Sequence, residues 1–336
     1  MKTAVMKTIH TLTGLLLLFL LASCDKDIDF SGEMTAPQLV INSFVSPDSF
    51  IVANITQSKF FLEDSEYGET YKPVENAEVE VFVNDVFKEK LTQGFILGTW
   101  SSQYKPKVGE TIRLKVSATG FKTAWCETRI EQPISIIAID STIETKNKYP
   151  ITMYIDSLGT SDTVAYQIDR QNHFSLRFKD PDNEQNYYRL LVKTIITDSL
   201  DSVKWSMESL FFYFTDVVSG ESSDTGTGFG GSTPNPYHVF SDELFNGKEY
   251  ALKFSCLSYY TTYIPPYKNE IKEEQKIIVE LQSISKSYYL YLKTRPASGG
   301  YDPFSEPVKI HNNVHDGIGI MGSFSRSGPR EIKLAF

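Results

Sequence analysis

The chain has 336 residues, 41% hydrophobic and 13% aromatic, with 33 basic and 42 acidic side chains for a formal net charge of −9. That apolar content is enough for a packed core and speaks against an intrinsically disordered chain. The acidic balance argues against a nucleic-acid partner, which calls for a basic face.

The first segment is an address. Lys2 and Lys7 precede the apolar run Leu15–Ala22, and Leu21-Ala22-Ser23 leads directly into Cys24. Basic, apolar, small, cysteine is the order of a bacterial lipoprotein signal, and the run is too short to span a bilayer. Residues 1–23 are therefore expected to be removed and Cys24 acylated. Acyl chains contribute about 0.8 kcal/mol per buried methylene, which anchors without a transmembrane helix. Asp25, Asp27 and Asp29 make residues 24–36 an acidic tether. An outer-membrane, surface-facing anchor is the expected location.

From Pro37 the pattern is β. Leu39-Val40-Ile41 and Ile51–Ile55 flank the turn Ser46-Pro47-Asp48-Ser49, and the polar stretch 60–73 reads as an exposed loop. Ala77, Val79, Val81 and Val83 alternate with other residues at period two, and Asn84-Asp85 is a hairpin turn toward Val86–Leu91. Ile112, Leu114, Val116 and Ala118 share one face between Gly109 and Gly120, and 121–130 runs back alongside. Strands and turns at this spacing predict a β-sandwich over 37–132, immunoglobulin-like or pre-albumin-like.

Pro133 opens the second region, 133–336, read as a mainly β domain with strands at 134–139, 174–178, 187–196, 250–257 and 276–281. A single helix is predicted over Ser283–Arg295. Ser283 or Ser285 can cap it, Ile284, Tyr288, Tyr291 and Leu292 share a face, and Pro296 stops it. Cys126 and Cys256 read as buried free thiols on strands, although pairing in an oxidising compartment stays open.

Few constellations carry chemistry. His311 and His315 have helical metal-ligand spacing, but Asn312, Asn313 and Gly317 place them in a turn, where Gly317 and Gly319 allow close backbone packing. Asp180, Asp182 and Glu184 alternate as calcium ligands do, yet Gln185 stands where such a loop uses glycine, so a β-turn is the better reading. Gly226, Gly228, Gly230 and Gly231 lack the Lys-Ser/Thr of a phosphate loop. There is no Gly-x-Ser-x-Gly elbow, and His173 and His238 have no recognisable partner along the chain. No cofactor is implied. Tyr259, Tyr260, Tyr263 and Tyr267 around Pro265-Pro266 form a candidate binding surface, because tyrosine joins a large apolar face to a hydroxyl. The run 211–214 (Phe-Phe-Tyr-Phe) reads as core.

Taken together, the lipoprotein start, Leu39-Val40-Ile41-Asn42 with Ser46-Pro47-Asp48, the segment Val108–Phe121, Asp180–Tyr188 and Ile310–Ile320 resemble the Bacteroidota lipoproteins grouped as domain of unknown function 4249. The resemblance covers nearly the whole chain, and its distinctive motif is Asn313-Val314-x-x-Gly317-x-Gly319. It implies an outer-membrane lipoprotein, often encoded near a TonB-dependent receptor, with no catalytic residues to carry over. The expected function is thus a non-enzymatic, lipid-anchored accessory of a β-barrel TonB-dependent receptor in nutrient uptake. A lipid-anchored hydrolase acting on glycans or peptides and an independent ligand-capture lipoprotein are the alternatives.

Overall fold

The computed structural model describes residues 36–59, 72–154, 159, 161–182, 184–197, 203–208, 212–219, 235–263, 274–295 and 309–334. Nine strands precede Pro133: β1 (Leu39–Val45), β2 (Val52–Gln57), β3 (Lys72–Pro73), β4 (Glu78–Val83), β5 (Val86–Lys90), β6 (Thr92–Gln93), β7 (Thr99–Ser101), β8 (Thr111–Ser117) and β9 (Ala124–Arg129). They form two layers. One is the sheet β5-β4-β8-β9, and the other contains β1, β2, β7 and β6 in that order. Period-two alternation decides which face is buried: Val79 and Val81 on β4 and Ile112, Leu114 and Val116 on β8 meet Leu39, Ile41, Ala53, Ile55 and Trp100 across the layers. The opposite face of β8 carries Arg113 and Lys115, paired with Glu127 (2.7 Å) and Glu80 (2.9 Å). Asn84 and Asp85 both have positive φ (48° and 66°), as a tight hairpin turn with right-handed strand twist requires.

Ten more strands follow: β10 (Ile136–Tyr154), β11 (Ser161–Lys179), β12 (Tyr187–Thr197), β13 (Val203–Glu208), β14 (Phe212–Phe214), β15 (Val239–Ser241), β16 (Glu249–Tyr263), β17 (Glu274–Ile284), β18 (Ile318–Arg326) and β19 (Arg330–Lys333). The sheet β10-β11-β16-β14 packs on the sheet containing β12 and β17. Its core is Phe174, Leu176, Phe178, Leu252 and Phe254 against Tyr188, Leu190, Val279 and Leu281. Phe212 and Phe214 belong to it, as expected. The fold is mostly β, a sandwich followed by a second sandwich-like layer pair.

A single strand joins the two. β18 pairs in parallel with β1 (Ile41↔Gly319) and antiparallel with β17 (Ile284↔Phe324), so both halves share an 11-stranded sheet. Val314 and Met321, from the end of the chain, complete the core built by residues 39–130. Ser323 and Ser325 donate to the carbonyls of Arg129 and Glu131 and so fix the connection between the two cores.

The helix α1 (Lys286–Thr294) starts three residues later than Ser283. Pairing of Tyr188 with Ser283 keeps Ser283 and Ile284 in β17, and Ser285 is the N-cap, accepting from the Tyr288 N–H. Tyr288 and Leu292 are its buried face. Three strands are also longer than their apolar patterns suggest. β10, β11 and β16 extend well past the core residues they contribute, for the reason given below.

Candidate functional site

The extended parts of β10, β11 and β16 form an arm. β10 has 19 residues, about 60 Å at ~3.3 Å per residue. Every residue from Asp140 to Tyr154 is exposed. The second core takes Ile136 and the partly buried Ile139 from β10 and Phe174, Leu176 and Phe178 from β11, all at one end. Beyond that end the strands stay paired, Ile151↔Ala165↔Tyr263 and Lys148↔Ile168↔Tyr260, with the β10–β11 register shifting at Thr145/Asn147 and Ile151/Thr152. With both faces of β10 in solvent, residues 140–148 carry no hydrophobic alternation. β10 is the edge, and Tyr149, Ile151 and Met153, at alternate positions, form an exposed apolar stripe along it. Lys148 covers the Tyr166 ring at 3.9 Å.

The candidate tyrosines fall on this arm. Tyr259, Tyr260 and Tyr263 lie in β16, not in a loop around Pro265-Pro266, and occupy the rows of Asp169, Ile168 and Ala165. Tyr267 lies outside the described residues, as do Cys24, residues 1–23, all of the tether but Ala36, residues 60–71 of the expected loop, and the glycine-rich stretch 220–231.

A polar cleft of about 320 Å³ opens where the two cores meet, lined by Arg129, Glu131, Glu184, Tyr187, Ser283 and Lys286 among others. Burial raises the Glu131 carboxyl to about 6, with Glu184 adding to the rise and Arg129 opposing it. Glu184 is held by Arg129 at 3.3 Å. The cleft therefore offers two cations and two carboxylates, one of them protonated just below neutrality. That suits a small polar ligand. Nothing in the sequence joins residue 131 to residue 184, so no spacing rule could find this site.

Asp180, Asp182 and Glu184 go separate ways. Asp180 is buried and accepts from the Tyr188 hydroxyl and the Gly247 N–H (2.8 Å). Asp182 is exposed, and Glu184 goes to Arg129. The three carboxylates do not converge. Among the described residues no group of three or more His, Cys, Asp or Glu side chains could hold a metal. His315 stacks on Trp125 (centroids 3.9 Å apart) while its backbone bridges that residue, and the His311 backbone N–H bonds to Thr294. Cys126 and Cys256 are buried free thiols, both raised to about 12 by burial.

Register creates one arrangement that sequence reasoning missed. His173 and Ser255 are cross-strand neighbours, with Nδ1 2.8 Å from Oγ, and Nε2 lies 3.5 Å from Glu144. This is the order of a nucleophile, base and orienting acid. Ser255 is 0% exposed, however, so no substrate carbonyl can reach its Oγ. The contact ties β11 to β16.

The distinctive C-terminal motif is structural. The Asn313 side-chain amide donates to the Met321 carbonyl and accepts from its N–H, both at 2.8 Å, and also reaches the Glu127 carbonyl at 3.3 Å. Gly317 leaves no room for a side chain between the Leu39 carbonyl and Ala124. These contacts explain Asn313, Gly317 and Gly319 in a chain that must seat β18 beside β1. The family model of "Domain of unknown function (DUF4249)" matches residues 25–328.

The chain belongs to this family.

DUF4249 thus describes the whole double-layered body and not one of its halves, since the match spans both cores and the strand that joins them. No curated protein matches the chain. Among the described residues no helix is long and apolar enough to cross a membrane.

Proposed function

We propose that this protein is a lipid-anchored outer-membrane accessory, held by acylated Cys24 and docking through its β-arm to a β-barrel TonB-dependent receptor in nutrient uptake. The observation that carries the reading is the arm. A projection whose longest strand runs about 35 Å past the core (residues 144–154 at ~3.3 Å per residue), with an exposed edge and the stripe Tyr149, Ile151 and Met153, gives no side chain to either hydrophobic core. Strand edges and apolar stripes are what partner proteins add to. The burial of Ser255 keeps the one described serine–histidine–carboxylate arrangement from hydrolysis.

The test is affinity isolation through a C-terminal tag from gently solubilised outer membranes, with mass spectrometry of what co-purifies. A stoichiometric β-barrel, lost on substituting the arm stripe, is the expected result. Recovery of the lipoprotein alone overturns it. The cleft at Glu131 and Glu184 supports a second reading, independent capture of a small polar ligand. It predicts ligand-dependent stabilisation that Glu131→Gln and Arg129→Ala abolish while the arm variants do not.

A further inference from the structure

Between β6 and β7 the chain turns through Gly94-Phe95-Ile96-Leu97-Gly98. Phe95 is 105% exposed, Ile96 63% and Leu97 54%. Three consecutive large apolar residues at a hairpin tip are an unusual choice, because turns favour Gly, Asn and Asp and a tip has no core to face. Gly94 and Gly98 fit the turn's geometry, with the Gly94 N–H bonding to the Thr99 carbonyl and Gly98 in the left-handed region at φ 78°. The turn is well formed without its apolar side chains. More than half of each side chain stays in solvent, and none of the three belongs to a described hydrophobic core.

Topology says which way the tip faces. The Gly98 carbonyl accepts from the Ile55 N–H (2.7 Å). Two residues along the same strand, Gln57 pairs with Leu39, the first residue of β1, and the Ser58 N–H bonds to the Gln38 carbonyl (2.9 Å). The apolar tip and the point where the tether joins the body are thus at the same end of one sheet. They are two strands apart, roughly 10 Å. Exposed Lys72 sits on β3 at this end, beside the tip, where Gly98 approaches Pro73. The opposite end of the same strands carries the polar turn Ser46–Ser49. From Cys24 to Pro37 the chain spans at most about 45 Å fully extended, so an acyl anchor on Cys24 holds this end of the sandwich close to the bilayer.

We infer that the tip Phe95-Ile96-Leu97 inserts into the outer face of a phospholipid bilayer beside the acyl anchor, fixing the orientation of the body on the membrane. The inference rests on the anchor in the proposed function. An acyl anchor joined through a tether leaves a domain free to tumble, whereas a second apolar contact at the same end defines an axis. The sheet then stands with its tether end down and the turn Ser46–Ser49 away from the lipid.

The test uses the full mature chain, acylated and in a Cys24→Ser form, with an environment-sensitive fluorophore on Ile96→Cys or, as the control at the far end, on Ser49→Cys. The native thiols at Cys126 and Cys256 are buried and stay unlabelled. Vesicles of phosphatidylethanolamine and phosphatidylglycerol carry a doxyl-lipid quencher. A blue shift and quenching at position 96 but not at 49 is the expected result. The triple change Phe95→Ser, Ile96→Ser, Leu97→Ser should also weaken vesicle binding of the Cys24→Ser form by about tenfold or more. Acylated chain bound to vesicles with position 96 unquenched overturns insertion and leaves the anchor standing. Shielding of position 96 only when a β-barrel protein shares the vesicle overturns it in favour of a protein contact. Mature chain that carries no acyl group and binds no vesicles overturns the anchor itself, and insertion with it.

Discussion

Gly319 sits opposite Ile41 across the parallel pair that closes the long sheet, and no other residue fits there. A Cβ on Gly319 would lie 2.8 Å from the Ile41 carbonyl carbon and 3.0 Å from its nitrogen, and its φ of 124° disfavours any L side chain. Strand and strand approach at the seam between the two cores. Gly319→Ala therefore combines a backbone clash with strain, and it should cost about 3 kcal/mol or more. The readouts are thermal unfolding and hydrogen exchange, with protection lost first in β1 and β18. Gly120→Ala, at positive φ with open space around it, should cost only about 1 kcal/mol.

Asn313 supports the same seam by hydrogen bonding. Its amide takes the place of a strand partner for Met321 on the side away from β1, where the β17 pairing begins only at Phe324, with one donor and one acceptor on the same backbone unit. Asn313→Ala leaves both Met321 groups unsatisfied and should cost about 2 kcal/mol. Asn313→Asp keeps the acceptor but sets a carboxylate against the Met321 carbonyl, so it should be no better than alanine at pH 7. Equal stability of Asn313→Asp and the native chain in denaturant titrations would remove the clamp from the account.

How much of this was legible follows from where the side chains go. Val79, Val81, Ile112, Leu114 and Val116 declare their strands because one face is buried and the other wet. Residues 140–148 declare little, because both faces of the strand are wet and no buried face imposes a period. The helix start was blurred for the opposite reason: Ser283, Ile284 and Ser285 are all buried, so burial could not separate the strand end from the cap. Gly317 and Gly319 were readable as close-packing residues, while the partner of His173 was not. Ser255 lies far along the chain and meets it only through register.

Two buried groups give opposite pH dependences. Burial raises Glu131 to about 6 from 4.5, so the folded chain binds the proton more tightly than the unfolded one. Stability should fall as pH rises from about 4.5 to 6 and stay reduced above. Glu131→Gln should then recover roughly 1–2 kcal/mol at pH 7 and nothing at pH 4. Burial lowers His238 from 6.5 to about 4, so it is neutral when folded and charged when unfolded in that interval. Stability from this group should fall as pH drops from 6.5 toward 4. His238→Asn suits the position, because the residue has φ 53° and asparagine accepts that conformation. The His238→Asn chain should flatten the acid side of the stability profile and Glu131→Gln the neutral side, although the lost stacking of His238 on Phe212 (3.7 Å) lowers the whole curve of the first.

The edge of β10 poses a problem that the sequence solves with Lys146, Lys148 and Pro150. An unpaired strand of this length is a template for a second copy. Pro150 lies opposite Tyr166 between two register shifts of the ladder, which is tolerated where its missing N–H faces the open edge. The two lysines add like-charge repulsion between copies. Lys148→Val with Pro150→Val should leave the melting temperature within about 2 °C, since neither side chain contributes to a core. The doubly substituted chain should nonetheless self-associate on concentration, visible as dimers and larger species in size-exclusion chromatography with light scattering. Substituting Tyr149 and Met153 by serine in that background should not restore the monomer, because edge pairing is made by backbone groups. The same serine changes in the native background should weaken partner capture without changing the oligomeric state. Backbone and side chains of one strand would then have separable tasks: Lys148 and Pro150 keep the edge single, and the stripe beside them meets the partner.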